Sequence, residues 1–255
     1  MIRYCVLSSG SKGNAIWVEA DGQAVLVDAG LPGRELKRRM ALAGLNTAGL
    51  KAVIVTHEHR DHINGVGILA RMMKLPVYIN QETLSKSAPM LGRIEPRFFQ
   101  TGRRFEVGGL FIHPFSTSHD AADSVGLTFE RDGRRLGVAT DLGTATKMVR
   151  HRLAGCQALI LEFNHDLKML LEGPYPWVLK TRIRSRQGHL SNDDAAELLT
   201  CLAHRDLAGV VLAHLSETNN HPELALEAAG AALKPWPECV VTAARQHEPL
   251  EIFEI

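Results

Sequence analysis

The segment Thr56-His57-Glu58-His59-Arg60-Asp61-His62 places three imidazoles and the carboxylate of Asp61 within six residues. Ring nitrogens and carboxylate oxygens are the donors that zinc, manganese and iron accept, and the segment holds more of them than one ion comfortably takes. Three further residues of the same chemistry each follow an apolar run. These are His119, after Leu110-Phe111-Ile112, Asp141, after Leu136-Gly137-Val138-Ala139-Thr140, and His214, after Ala208-Gly209-Val210-Val211-Leu212-Ala213. Strand ends beside loops are where a rigid scaffold presents site residues. Singly, each has an ordinary use: His119 as a loop histidine, Asp141 as a helix N-cap, His214 as a histidine near a helix start. Together with the cluster they supply the donors for two divalent ions. Two such ions about 3.5–4 Å apart can share a hydroxide, lower its pKa toward neutrality and clamp both oxygens of a reacting phosphodiester. If the cluster is extended, alternate residues share a face, so His57, His59 and Asp61 converge while His62 turns toward the second ion.

The apolar run Lys51-Ala52-Val53-Ile54-Val55 predicts the strand that holds the cluster. Before it, strands are expected over 3–8, 15–20 and 24–28, the last two joined at Asp21-Gly22, a hairpin signal. A helix over 32–43 follows, with Pro32 near its start and Gly44 at its end. After the cluster come a helix over 65–73 and a strand over 77–79. Hairpins turn at Gly108-Gly109 and Asp132-Gly133. From there strands (158–161, 208–213, 239–242, 250–253) alternate with helices (143–152, 166–171, 192–203, 222–233). Hairpins that feed into strand–helix alternation predict an α/β protein of two mixed sheets stacked face to face with helices outside.

With 255 residues the chain can bury a sizeable core as one domain over residues 1–255, and it shows no repeat or Pro/Ser-rich linker. A formal net charge of +1 predicts neither a nucleic-acid nor a membrane partner, so any grip on polyanions must come from a local patch. The cysteines Cys5, Cys156, Cys201 and Cys239 are far apart and read as buried free thiols of a reducing compartment. The apolar run at the start is too short for a signal peptide, and no stretch approaches the roughly 18 apolar residues of a membrane span. A cytoplasmic protein is expected.

The motif His-x-His-x-Asp-His at 57–62, followed in order by His119, Asp141 and His214, resembles the metallo-β-lactamase superfamily, and Asp28 in Val27-Asp28-Ala29-Gly30 matches an aspartate that commonly precedes the cluster there. The resemblance implies a four-layer αββα sandwich with two divalent ions (zinc, or manganese or iron) at one edge of the sheets. His57, His59 and His119 would hold one ion, and Asp61, His62 and His214 the other. Asp141 would bridge them, and Asp28 would order the cluster by hydrogen bonding. An aspartate at the bridging position is the pattern of the phosphodiesterase, nuclease and glyoxalase branches, which makes lactam hydrolysis a minor reading. Gly10-Ser11-Lys12-Gly13-Asn14, Glu162 to Asp166, Gly173-Pro174-Tyr175-Pro176-Trp177, Gly188-His189-Leu190-Ser191-Asn192 and His214-Leu215-Ser216 are similar to a small bacterial subfamily of YycJ-type (WalJ-type) hydrolases, close to ribonuclease Z in plan. That likeness implies a nuclease, with DNA favoured over RNA and exonucleolytic degradation the expected role. The alternative is a small-molecule hydrolase acting on a cyclic phosphodiester or a thioester.

On this reading the catalytic residues are Asp61, Glu162 and His189. His189, oriented by Glu162, would give a proton to the leaving oxygen, a task suited to imidazole. His165 is a weaker candidate for the same part. Ser191 is a good N-cap for the helix after His189, with Asp194 in its first turn. Lys180, Arg182, Arg184 and Arg186 are candidate phosphate contacts, joined more weakly by Lys12 and Arg60. Extended, the four would form one stripe. Pro176, the Leu179–Ile183 spacing and Gly188 favour a helix instead, which splits them between two faces. The interval from Asp141 to His214 is too short for the inserted cap of β-CASP nucleases, and no Gly-rich protruding arm suggests transfer-RNA 3′ processing.

Overall fold

The computed structural model describes all 255 residues. Its first half contains strands β1 (Arg3–Ser8), β2 (Ala15–Ala20), β3 (Gln23–Val27), β4 (Leu50–Ile54), β5 (Pro76–Ile79) and β6 (Glu95–Phe98). Helices α1 (Gly33–Leu42), α2 (Arg60–Ile63), α3 (Val66–Met73) and α4 (Gln81–Leu91) lie between them. The second half contains β7 (Phe105–Val107), β8 (Leu110–Ser116), β9 (Val125–Arg131), β10 (Arg134–Ala139), β11 (Ala158–Glu162), β12 (Gly209–Ala213), β13 (Val240–Ala243) and β14 (Phe253–Glu254). Its helices are α5 (Lys147–Leu153), α6 (Leu167–Glu172), α7 (Trp177–Ile183), α8 (Asn192–Leu202) and α9 (Pro222–Ala232).

Two seven-stranded sheets result, in the orders β14-β1-β2-β3-β4-β5-β6 and β13-β12-β11-β10-β9-β8-β7. The pleat sends alternate side chains to opposite faces, and here both faces are covered. Ile16, Val18, Val25 and Val27 meet Leu127, Phe129, Ile160 and Val211 between the sheets. Their neighbours Ala15, Trp17, Ala24 and Leu26 pack instead against Leu36 and Met40 of α1 and Val66 and Leu69 of α3. On the far side, Leu159, Leu161, Val210 and Leu212 pack against α5, α8 and α9. Strands buried on both faces read as continuous apolar runs, which is why β4, β11 and β12 stood out in the sequence. The layers are αββα, as expected.

The turns follow their chemistry. Asp21 and Gly22 both take positive φ (50° and 73°), as do Asp132 and Gly133 (49° and 75°), the requirement of a tight hairpin. Several expectations need correction. The cluster is not extended throughout: the chain turns helical at Arg60, so Asp61 and His62 leave the alternation and point together. The helix predicted from residue 143 starts at Lys147, capped by the side chain of Thr146. The helix α4 and the edge strand β6 had no counterpart in the sequence pattern. Every residue of β6 is exposed, so it carries no apolar alternation, and α4 contains Pro89. Cys5 and Cys156 are buried thiols, but Cys201 is exposed on α8 and Cys239 is half-buried. No helix is long and apolar enough to cross a membrane.

Candidate metal centre

Six strands deliver the site. β3 and β4 run parallel in one sheet. In the other, β10, β11 and β12 run parallel, and β8 shares their direction because β9 pairs antiparallel with both β8 and β10. Asp28, His57, His119, Asp141, Glu162 and His214 therefore come off or end strands at one edge of the sandwich. Asp28 and His214 stand one residue beyond a strand and Asp141 two, all in the left-handed conformation, with φ of 58°, 58° and 60°. Non-glycine residues reach that region at a cost of about 1–2 kcal/mol, and aspartate and histidine are among those that tolerate it. Below the cluster the packing is tight: a Cβ on Gly30 would lie 1.7 Å from the carbonyl oxygen of Asp61. Ala29 N donates to His62 O and Asn14 N to Asp61 O, at 2.8 and 2.7 Å, so the α2 turn is clamped from beneath.

Four of the five imidazoles, all but His59, have one nitrogen held by the protein and the other facing the cluster. His62 Nδ1 lies 2.7 Å from Asp28 Oδ2, which also accepts from the Thr56 hydroxyl. That hydroxyl in turn accepts from His57 Nδ1 at 3.0 Å. His119 Nδ1 donates to Gly188 O (3.1 Å), and His214 Nδ1 to Glu162 Oε1 (3.0 Å). Such outer partners fix the tautomer and the ring orientation of a metal ligand. The remaining atoms fall into groups. Donors of His57, His59 and His119 lie within 4.8 Å of one another, as do those of Asp61, His62 and His214. Asp141 stands between them, with Oδ1 3.6 Å from His119 Nε2 and Oδ2 3.3 Å from His62 Nε2.

The donor set fits divalent cations on an observation internal to the fold. His57 Nε2 and Asp141 Oδ2 are buried without a hydrogen-bond partner, and His119 Nε2 confronts His59 Nδ1 at 3.1 Å. Buried polar atoms are normally satisfied, so His57 Nε2 and Asp141 Oδ2 call for a partner that the protein itself does not supply, and a cation meets both. The charges agree. Burial alone would disfavour a charged His62, yet Asp141, Asp61 and Asp28 outweigh it and push its pKa well above the usual value. Burial and the neighbouring His62 hold His57 well below it. Asp61 lies far below the carboxylate range because His62 and His214 overcome the effect of burial.

Glu162 is the hub beneath the centre. Fully buried, its carboxylate accepts from the main-chain nitrogens of Asp141, Leu142 and Leu190 and from the rings of His189 and His214. Burial would raise its pKa, but the two imidazoles outweigh it and hold it at about 2. His189 Nδ1 sits 2.9 Å from Glu162 Oε1 and 3.9 Å from Asp141 Oδ1, and the ring lines the open cavity of about 350 Å³ over the donors. His165, in contrast, is buried and bridges Ser191 through the backbone, away from the cavity lining. Ser191 does cap α8, accepting from Asp194 N.

The basic candidates separate. Lys180 must be withdrawn as a phosphate contact: it is buried, and its ammonium donates to Leu171 O and Gly173 O at 2.7 Å each. Arg182 lines the cavity, with Nε on Asp120 Oδ2 at 2.6 Å. Arg60 lines it too, whereas Arg184 and Arg186 are exposed beyond the end of α7 and outside the lining. Lys12 is tied to Glu217 at 2.7 Å. Sequence reasoning gave no role to Asn14, whose Nδ2 lies 3.1 Å from Asp61 Oδ2 and 3.0 Å from His62 Nε2. It also missed Thr56, Asp120 and Asn164, whose amide donates to His214 O.

The chain is similar to proteins already known. The family described as Beta-lactamase superfamily domain matches residues 23–214. The chain is 39% identical to the exodeoxyribonuclease YycJ of Bacillus anthracis over 227 residues, which cover 88% of this chain and 86% of the relative. It is 35% identical to the exodeoxyribonuclease WalJ of Streptococcus pneumoniae serotype 2 (strain D39) over 88% of this chain and 85% of the relative. Among solved structures it superposes on Zn(2+)-bound PqqB from Methylobacterium extorquens with a TM-score of 0.75, at 17% identity, covering 98% of this chain and 99% of that one.

Proposed function

The chain belongs to the metallo-β-lactamase superfamily, and on that premise we propose that it is a hydrolase of phosphodiester bonds that degrades DNA from a strand end, with two divalent ions in the two donor groups. The observation that carries this reading is the placing of Asp141 between two histidine-rich groups, beneath a cavity that Arg60 and Arg182 also line. The likeness to two exodeoxyribonucleases supports it. Nitrogen-rich ligation suits zinc, and the carboxylates admit manganese or iron.

When bound, ions in these positions supply Lewis-acid activation of water and offset the charge that grows on the phosphoryl oxygens. The chain's own residues do the rest. Arg182, fixed through Nε by Asp120, keeps its terminal nitrogens for a phosphate, and Arg60 supplies a second cation. Asp61 and Asn14 hold each other at the cavity floor. Glu162 stays ionised at neutral pH and accepts from His189 Nδ1, which orients the ring and leaves Nε2 to donate a proton to the departing oxygen.

The test is hydrolysis of 5′- and 3′-labelled single and double strands with manganese and with zinc, run beside a chromogenic phosphodiester and a thioester. Stepwise shortening of the labelled DNA is expected. The small cavity volume also suits a low-molecular-weight diester. Turnover of the small diester with intact DNA would replace the nuclease reading by that one.

A further inference from the structure

The cavity over the donors has three apolar lining residues, Tyr175, Leu179 and Ile183, and all come from one segment. Leu179 and Ile183 stand four apart on α7 and so share a face, with Arg182 beside them and Tyr175 just before the helix. This segment is braced. The buried Lys180 ammonium ties α7 to the end of α6 through Leu171 O and Gly173 O. At its other end, His189 N donates to Ile183 O at 2.8 Å. Gly188 approaches so closely that a Cβ there would lie 2.1 Å from Ile183 O. The apolar wall is thus fixed relative to His189.

Metal ligands need no apolar wall, and a phosphate would avoid one. A nucleobase is what an aromatic ring and two aliphatic side chains beside an arginine recognise: the ring stacks on its face, and the arginine takes the attached phosphate. The open cavity, about 350 Å³, is of the size of small-ligand sites and admits one nucleotide, and a base that stacks on this wall has left its own helical stack. We propose that Tyr175, Leu179 and Ile183 form the subsite for the terminal base of the strand being degraded, and that this base enters unpaired. The inference rests on the nuclease reading and deepens it. Tyr175 is a positioning residue: it seats the end so that the scissile phosphate lies between Arg182 and the donor groups.

The experiment compares, on the metal-loaded enzyme, oligonucleotides with an ordinary terminal nucleotide and with an abasic tetrahydrofuran terminus. Removing the base lowers kcat/KM of the unmodified enzyme by about 5- to 100-fold, the range of one base–aromatic stack. Tyr175→Ala costs a similar factor on the ordinary end and less than about twofold on the abasic end, while Tyr175→Phe retains activity on both. Anisotropy with a phosphorothioate end linkage, which slows cleavage, shows the same pattern in affinity. A duplex whose last pair is mismatched is cut faster than a matched one. Equal rates on ordinary and abasic ends overturn the subsite, a comparison that needs no variant. So does a loss in Tyr175→Ala that is equal on both ends. DNA left intact with either end, while a chromogenic diester is hydrolysed, overturns the nuclease reading itself.

Discussion

His189 and Glu162 face each other at 2.9 Å beneath an open cavity, and their roles separate experimentally. His189→Ala should lower turnover by about 10²- to 10⁴-fold while metal content by elemental analysis stays unchanged. Loss of metal in step with activity would make His189 a ligand, since its ring also belongs to a donor group with Asp141, Glu162 and His214. Asp28→Asn tests orientation instead. The weakened partner of His62 Nδ1 should reduce metal affinity by about 10- to 100-fold, read by competition with a chromogenic chelator. The seven donors were legible from type and place together: four lie in one short segment after an apolar run, and His119, Asp141 and His214 each follow another. Asn14 and Thr56 were not, since their value lies in touching Asp61 and Asp28 across 47 and 28 residues. Tyr175 read as one residue of a motif, and nothing short of the folded α6–α7 segment showed that it lines the cavity. A signal that was available is the recurrence of Asp28, Asp141 and His214 within two residues of a strand end, where the left-handed backbone turns the chain toward the centre.

Elements explain why charged residues of similar appearance have unlike fates. The helical spacing around Leu179 and Ile183 was readable, but the burial of Lys180 depends on α6 ending at Glu172 with two carbonyls aimed at it. Lys180→Met should therefore cost about 2–3 kcal/mol through the loss of charged hydrogen bonds, lowering Tm by about 5–10 °C. It should leave the salt dependence of DNA binding unchanged. Arg182→Ala should do the reverse, reducing the slope of log K against log salt by about 0.7–0.9 with little change in Tm. A drop in slope for Lys180→Met would restore it as a phosphate contact. The helix α1 shows a second device. Arg39 is buried against Leu7 O and Gln246 O, and its Nε donates to Glu35 Oε1 at 2.8 Å. Hydrogen bonds from Arg38 and Arg39 lower the Glu35 pKa from 4.5 to about 2. Because the folded value is depressed, this contribution to stability is present above pH 4.5 and is lost as pH falls toward 2. Glu35→Gln should lower Tm near neutrality, and its difference from the unmodified chain should shrink between those limits. A constant difference down to pH 2.5 would assign the effect to packing. The strand β6 and helix α4 escaped sequence reading for the opposite reason, since an exposed edge strand is shaped by its neighbour β5 and not by its own pattern.

At the scale of the whole molecule, the centre joins two sheets that otherwise meet through apolar side chains. β3 and β4 supply Asp28 and the 57–62 segment from one sheet, and β8, β10, β11 and β12 supply His119, Asp141, Glu162 and His214 from the other. A cation held by His62 and His214, or by His57 and His119, would tie the sheets at that edge, beside the carboxylates of Asp61 and Asp141. Stability should then depend on metal by mass action, because an ion that binds only the folded chain stabilises it by about 4 kcal/mol at a free concentration 1,000 times its Kd. For a chain of this size that corresponds to a Tm fall of about 8–16 °C on chelation, measured by scanning calorimetry with and without a chelator at constant ionic strength. The loss should be reversed by adding back zinc or manganese. It should shrink in His214→Ala, which leaves Asp61 and His62 as the rest of their group. If chelation strips the bound metal and Tm does not move, the donor groups hold their ions without joining the sheets, and the buried His57 Nε2 and Asp141 Oδ2 must be satisfied in the metal-free chain by water.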